Sequence, residues 1–248
     1  MKRATVWLLL TCCLTLNAQT GARNGEWRTY GADLGNTHYS ALDQINAANF
    51  NKLEVAWRLN TENLGPRPET NLQSTPLMVN GVLYSTGGSR RSVIALDAGT
   101  GELLWVHSER EGKRGDNAPR NLSGRGLAYW SDGVEERILY VTPGYRLIAL
   151  NAKTGLPVPA FGRSGVVDLK LDDDQDLDLE NSDIGLHATP VVAGNTVIVG
   201  AAHRAGGAPR IKNNAKGYSR IRRENRQTPV DLPHDPEAGR VRARHLGR

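Results

Sequence analysis

Cysteine is almost absent from this sequence. Cys12 and Cys13 are the only two among 248 residues, and both lie in a segment that has the pattern of a signal peptide. Lys2-Arg3 is followed by the apolar run Ala4–Leu16 and by a small residue, Ala18, after which we expect cleavage. The run is too short to span a bilayer. We therefore predict a signal peptide over residues 1–18 and a periplasmic or secreted mature chain with no transmembrane segment. That chain can have no disulfide, thiolate nucleophile or cysteine-based metal site.

Aromatic residues are missing from the end of the chain. From Arg220 onward there is no Phe, Tyr or Trp and no strand periodicity. Residues 204–248 hold 12 Lys and Arg against 4 Asp and Glu, a surplus of 8, so the preceding chain has a net charge of −3 against +5 for the whole. The pI of about 9.4 consequently says little about partners of the preceding chain. One interpretation is a disordered basic arm that binds nucleic acid or anionic lipid. Such binding should vanish when the chain is cut at Tyr218.

Short strands and tight turns dominate the middle of the chain. The turn dipeptide Asn80-Gly81 precedes the apolar run Val82–Tyr84, and a second run, Ser92–Leu96, ends in the polar turn Asp97–Gly101. Leu103–Trp105 then begins another strand. This succession within thirty residues predicts an antiparallel sheet.

The same order of motifs recurs along the chain. Ile138–Thr142, Leu147–Leu150 and Asn151–Gly155 repeat the order LY-x-T, IAL and TG, and Thr189–Gly200 matches the segment that begins at Thr75-Pro76. Repeats of this period with three or four short strands each are typical of β-propeller blades. The alternative is three unrelated hairpins in a β-sandwich. We predict an all-β fold with propeller blades over residues 19–219.

Two segments resemble a known family. Trp27 to Ile45 has the pattern W-x-x-Y-G-x-D-x-x-x-x-x-Y-S-x-L-x-Q-I, which resembles the opening of the pyrroloquinoline-quinone (PQQ)-dependent dehydrogenases, the secreted quinoprotein alcohol, methanol and glucose dehydrogenases. Ala95–Trp105 resembles their tryptophan docking motif, and Arg125–Trp130 resembles the opening of another blade. The resemblance extends from about Trp27 to Tyr218.

The resemblance implies a fold and a reaction. It implies the first two to three blades of an eight-bladed propeller, with PQQ in the central channel and a Ca²⁺ that polarises the quinone carbonyl. An alcohol or sugar would be oxidised by hydride transfer to PQQ, and the electrons would pass to a respiratory quinone or cytochrome c. No nucleic acid is implied as a partner. Most of the metal site and the catalytic carboxylate are expected beyond Arg248, so we expect this chain alone to be inactive and name no catalytic residue.

Four residues fall on cofactor-binding positions of the resembling family: Gln73, Arg125, His187 and His203. The planar guanidinium of Arg125 suits the carboxylates of PQQ. Gln73 and the two histidines could equally be local polar groups at strand ends. The alcohol-oxidising branch of the family carries adjacent cysteines just before this arginine, where this chain has Pro119-Arg120-Asn121. That difference favours the glucose-like or polyol-like branch, or an uncharacterised one.

Metal ligands are not identifiable from the sequence. In the acidic segment Asp168–Asp183, three aspartates at alternate positions, 172, 174 and 176, hint at a calcium loop. The sixth position of that loop is Leu177, where the tight turn needs glycine. We therefore interpret the segment as a solvated insertion between blades.

The tail over residues 220–248 has a second interpretation. Codons that are legal for Ile221–His234 can be chosen so that the next reading frame encodes FDVRTGKRLWIFH, which is the docking motif that the blade begun at Thr189 lacks. We therefore expect a frameshift near Arg220, and sequencing of the locus tests it.

A non-enzymatic propeller scaffold, similar to outer-membrane assembly lipoproteins, is the alternative function of the chain. Arg125 and the segment Trp27–Ile45 speak against that alternative.

Overall fold

The computed structural model describes residues 22–171, 177–186, 188–202 and 228–231. Apart from two short 3-10 helices, Arg23–Gly25 and Phe50–Lys52, and a single helical turn, α1, the regular elements in these ranges are strands. Their bounds in chain order are β1 Leu77–Val79, β2 Val82–Gly87, β3 Ser92–Asp97, β4 Leu103–His107, α1 Lys113–Asp116, β5 Ala128–Ser131, β6 Glu136–Val141, β7 Arg146–Asn151, β8 Val166–Asp168, β9 Val191–Ala193, β10 Thr196–Val199 and β11 Thr228–Asp231.

The strands form three antiparallel sheets in which sequence neighbours pair. The first sheet has the order β1-β2-β3-β4, the second β5-β6-β7-β8, and the third β9-β10-β11. Asn80 and Gly81 both have positive φ, 50° and 77°, which gives the tight hairpin turn that places Val79 opposite Val82. The predicted strand-turn succession is confirmed. β11 falls inside the predicted tail, and the boundary at residue 220 stays a prediction.

The second sheet is buried on both faces. Ile138 and Tyr140 of β6 pack with side chains of the first sheet, whereas Leu139 and Val141 pack with side chains of the third. Alternate residues of a strand point to opposite faces, so the central strands of a sheet between two others carry apolar side chains toward both neighbours. This stacking follows the pattern of neighbouring propeller blades and differs from a sandwich of two sheets, in which each sheet has one solvated face.

Two tryptophans dock on the turns of neighbouring sheets through a repeated contact. The indole N–H of Trp105 donates to Ala152 O at 3.0 Å, and a Cβ at Gly155 would lie 2.5 Å from the indole ring. The docking predicted for Trp105 is therefore confirmed. Trp57 makes the equivalent contacts with the first sheet, because its N–H donates to Ala98 O at 3.2 Å and its ring lies against Gly101.

The second sheet completes its fourth strand without a tryptophan. After the turn at Asn151, the chain forms a bridge between Pro157 and Leu150 and then loops out to Phe161, which is fully buried. It returns as β8, which pairs with β7.

The segment before the first sheet, residues 26–59, differs from what its sequence predicts. Its run Leu53–Leu59 favours a strand and the aromatic residues before that run favour a packed apolar cap, but no strand is formed there. Large apolar side chains of the segment are exposed, among them Phe50 at 68% and Ile45 at 60%. A strand needs a paired neighbour, and within the described residues no backbone pairs with Leu53–Leu59.

The acidic segment after β8 is not simply solvated. Leu169 and Leu177 belong to the core between the second and third sheets, and Lys170 is 2% exposed, with its ammonium donating to Leu179 O and Ser182 O at 3.3 Å. The aspartates at 172, 174 and 176 lie outside the described residues. Apolar side chains between the acidic ones hold the segment to the core.

Candidate functional site

Gln73 and Arg125 lie in the segments that lead into β1 and β5, the first strands of two neighbouring sheets. Thr75 N–H donates to Arg125 O at 2.9 Å, and Thr75 forms a parallel bridge with Gly126. Two residues that are about fifty positions apart are therefore brought to the same edge. This edge is where the resemblance predicts the cofactor.

The start of the third sheet reaches the same place. Gly126 has a φ of +135°, and a Cβ there would lie 2.8 Å from Thr75 O and 3.3 Å from Thr189 Cγ2. Only glycine combines this backbone angle with so close an approach. The segments before β1, β5 and β9 consequently converge at Gly126, as the inner strands of blades do around a common channel.

Arg125 is available for a ligand. Its side chain is exposed, and within the described part of the chain no hydrogen bond or ion pair engages its guanidinium. A guanidinium binds a carboxylate through two parallel hydrogen bonds. The residue type and its freedom therefore fit the anionic cofactor that the resemblance implies.

A carboxylate behind this edge holds three loops together. Glu69 accepts one hydrogen bond from Ser123 N at 3.0 Å and another from Gly88 N at 2.7 Å. Ser123 is fully buried, and its hydroxyl oxygen accepts from Gln73 N at 3.5 Å. The backbone of Gln73 is thus tied to the turn that precedes Arg125, while the side chain of Gln73 is exposed.

A buried arginine lies under the same turn. Arg91 is 4% exposed, and a Cβ at Gly124, next to Arg125, would lie 3.0 Å from Arg91 Nε. Burial lowers the pKa of Arg91 to about 10, although Glu111, Tyr140 and Glu69 act in the opposite direction. The guanidinium therefore remains charged at neutral pH.

The remaining predicted site residues, His187 and His203, lie outside the described residues. In the described ranges, no group of three or more His, Cys, Asp or Glu side chains could hold a metal ion. No helix in those ranges is both long and apolar enough to cross a membrane.

The sequence signals did not reveal Glu69, Arg91 or Ser123. Glu69 stands in a proline-rich loop, and Arg91 follows another arginine in a turn between two strands. Gly124 before Arg125 was the one visible sign, because a glycine there leaves room for a close neighbour.

A cleft of about 430 Å³ borders this region on the side of the turn between β2 and β3. Its lining includes Arg67, Arg90, Arg110 and Asn121, together with the acidic residues Glu109, Glu111 and Asp116. Neither Gln73 nor Arg125 lines it, so the cleft is separate from the edge where those two residues meet.

Comparison with known families identifies the chain. The family described as "PQQ: Glucose/ethanol/alcohol dehydrogenase, beta-propeller domain" matches residues 27–220. The chain belongs to this family. The match begins at Trp27 and ends two residues beyond Tyr218, so the family and the extent that the sequence predicted are both confirmed.

Curated relatives match about half of this chain. It is 38% identical over 141 residues to the dehydrogenase subunit of alcohol dehydrogenase (quinone) from Gluconobacter oxydans, a match covering 56% of this chain and 17% of the relative. It is 35% identical over 150 residues to 1-butanol dehydrogenase (cytochrome c) from Thauera butanivorans, covering 60% and 20%. A quinoprotein glucose dehydrogenase from Gluconobacter oxydans is 29% identical, with 59% and 20% covered. The matched part spans about a fifth of the length of these relatives.

Solved structures show the same fold. Quinohemoprotein alcohol dehydrogenase from Comamonas testosteroni matches with a TM-score of 0.59 and 25% identity over 89% of this chain and 27% of that chain. A europium-containing methanol dehydrogenase matches with a TM-score of 0.58 and 21% identity over 89% and 32%. The predicted partial β-propeller is confirmed.

Proposed function

We propose that this chain is the N-terminal part of a PQQ-dependent dehydrogenase that oxidises an alcohol or a sugar. When bound, PQQ supplies the redox chemistry by accepting a hydride from the substrate carbon. The guanidinium of Arg125, which no side chain of the described ranges pairs, lies at the point where three inner strands begin, and this is the observation that carries the proposal. The side chain of Gln73 is exposed at the same edge and would contact the cofactor beside it.

The residues of this chain would bind and orient the cofactor PQQ, and none of them is proposed to act on the substrate. Arg125 would bind a carboxylate of PQQ, and the segments that meet at Gly126 would form one wall of its channel. The expected metal is Ca²⁺, with most of its ligands beyond Arg248. We therefore expect the chain by itself to bind PQQ weakly and to oxidise nothing.

The predicted signal peptide supports a location for the protein, and the names of its relatives support an electron acceptor. Lys2-Arg3 and the apolar run after it support export to the periplasm, and N-terminal sequencing of the exported chain should begin at Gln19. The names of two relatives carry quinone and cytochrome c, which supports a respiratory acceptor of either kind for the longer enzyme.

Equilibrium dialysis of the chain against PQQ tests the cofactor site. Arg125→Ala should raise the dissociation constant at least tenfold, since a charge-assisted pair is lost, and Arg125→Lys should lie between the two. Arg163→Ala is the matched control, because Arg163 is exposed and no side-chain hydrogen bond engages it among the described residues. Equal affinities of the Arg125 and Arg163 variants would overturn the proposed role. Dye-linked oxidation by the frame-restored longer protein, with PQQ and Ca²⁺ added, tests the activity.

A further inference from the structure

Arg91 donates four hydrogen bonds, and all of them go to backbone carbonyls. Its Nε donates to Leu122 O at 2.9 Å and its Nη2 to Arg120 O at 2.8 Å. Its Nη1 donates to both Val141 O and Leu186 O at 2.9 Å. One side chain of the first sheet thereby holds the loop before Arg125, the end of β6 and the segment that leads to the third sheet.

The chemistry of these contacts is unusual for a buried cation. Buried charges are normally paired with an opposite charge, but within the described ranges no carboxylate forms an ion pair with Arg91. Four of its five N–H groups are instead satisfied by carbonyl dipoles. The planar guanidinium directs its N–H groups to carbonyls on different sides. A lysine at this position has its three donors on a single nitrogen and could not reach all of these carbonyls.

The backbone at Arg91 is also unfavourable. Its φ is 54°, a left-handed conformation in which glycine or asparagine is ordinary and a long side chain is not. Arg91 occupies the last turn position before β3, so a glycine there would satisfy the hairpin with less strain. The side chain, and not the turn, accounts for an arginine at this position.

We propose that Arg91 is a positioning residue of the cofactor site, which fixes the segment 120–124 and so sets the place of Arg125. The proposal rests on the proposed role of Arg125 in binding PQQ. Arg91 itself is buried, so it acts through the turn at Ser123-Gly124. Glu69 accepts a hydrogen bond from Ser123 N in the same turn, so the two residues together fix the backbone from which the Arg125 side chain extends.

Hydrogen exchange of the full chain, measured by mass spectrometry, tests whether Arg91 fixes this segment. In Arg91→Lys, peptides that contain the amides of Ser123 and Thr75 should exchange at least tenfold faster than in the unmodified chain, while those of β3 and β6 stay within twofold. Arg90→Lys is the matched control, because Arg90 is the adjacent arginine and has no side-chain hydrogen bond within the described part of the chain. An unchanged rate at Ser123, or an equal rise throughout the sheets, would overturn the proposal.

A second variant tests the role of Arg91 without replacing Arg91 itself. Gly124→Ala keeps Arg91 but places a Cβ 3.0 Å from its Nε at a residue whose φ is +71°, and it should give the same local rise in exchange. If Arg91→Lys does not fold, the result with Gly124→Ala decides.

Dialysis against PQQ then separates the two proposals. Arg91→Lys should raise the dissociation constant about tenfold without changing the stoichiometry, whereas Arg90→Lys should leave both unchanged. If the unmodified chain binds no PQQ, the proposed cofactor site fails, and exchange at Ser123 still decides whether Arg91 fixes the segment. If PQQ binds and Arg91→Lys binds it equally well, the positioning role is wrong while the proposed function stands.

Discussion

Trp105 in the first sheet lies against Gly155 in the second so closely that no side chain fits between them. A Cβ at Gly155 would lie 2.5 Å from Trp105 Cε3, and the indole N–H is hydrogen-bonded to Ala152 O. The same indole also lies 5.9 Å, between ring centroids, from Tyr84. One side chain thus joins the turn of one sheet to the outer strand of its neighbour.

Trp105→Ala should lower the free energy of unfolding by about 3 kcal/mol, because it removes a large apolar contact and leaves a cavity between sheets. Leu104→Ala, at an exposed position of the same strand, should change it by less than about 0.5 kcal/mol. Urea denaturation followed by circular dichroism measures both. Similar losses for the two variants would show that the indole does not join the sheets.

Two buried tyrosines should respond in opposite directions to loss of their hydroxyl group. Tyr140 OH is buried and has no hydrogen-bond partner among the described residues, so Tyr140→Phe should leave the free energy of unfolding unchanged or raise it by up to about 1 kcal/mol. Tyr84 OH donates to Ala152 O at 3.2 Å, so Tyr84→Phe should lower it by about 1 kcal/mol. Denaturation midpoints of the pair decide, and a larger loss for Tyr140→Phe would contradict the contacts described.

Stability at acidic pH should depend on Asp168. Burial raises the pKa of this carboxylate, but its hydrogen bonds and charge interaction with Arg114 outweigh burial and lower the pKa below its usual value. The Arg114 guanidinium reaches Asp168 at 2.5 and 2.7 Å. The carboxylate therefore contributes stability above the pKa of the unfolded chain, about 4, and this contribution is lost as the pH falls through the lower folded value.

Asp168→Asn should consequently cost about 2 kcal/mol at pH 7, and the difference from the unmodified chain should shrink below about pH 4. Asp116→Asn is the control, since that exposed carboxylate has no ion pair among the described residues. Urea denaturation at pH 7, 5 and 3 measures the dependence. A difference that stays constant across this range would show that Asp168 is not ionised in the way described.

Local signals predicted most of the strands. Asn80-Gly81 and Asp97–Gly101 reverse the chain because of their own backbone preferences, which the sequence displays. The succession of the two strands β6 and β7 could be predicted in the same way, from local sequence. Leu53–Leu59 has equally strong apolar residues, but a strand also requires a partner, and the described residues provide none. The prediction failed there because pairing is not a local property.

The candidate site was predicted only in part. A motif surrounds Arg125 and makes it a visible candidate, whereas Arg91 donates to carbonyls as distant in sequence as Leu186, 95 positions away. Glu69 likewise bonds Ser123, 54 positions away. Polar contacts of this kind depend on which loops the sheets bring together, and no spacing along the chain encodes them.

The left-handed backbone of Arg91 has a consequence for efforts to engineer a more stable protein. Rules that place glycine or asparagine at such turn positions favour replacing this arginine, and the hairpin alone would gain from the exchange. The same exchange would release three segments of the molecule from one another. Because the exchange also leaves four backbone carbonyl oxygens without this donor, the molecule as a whole should melt at a lower temperature even though the hairpin gains.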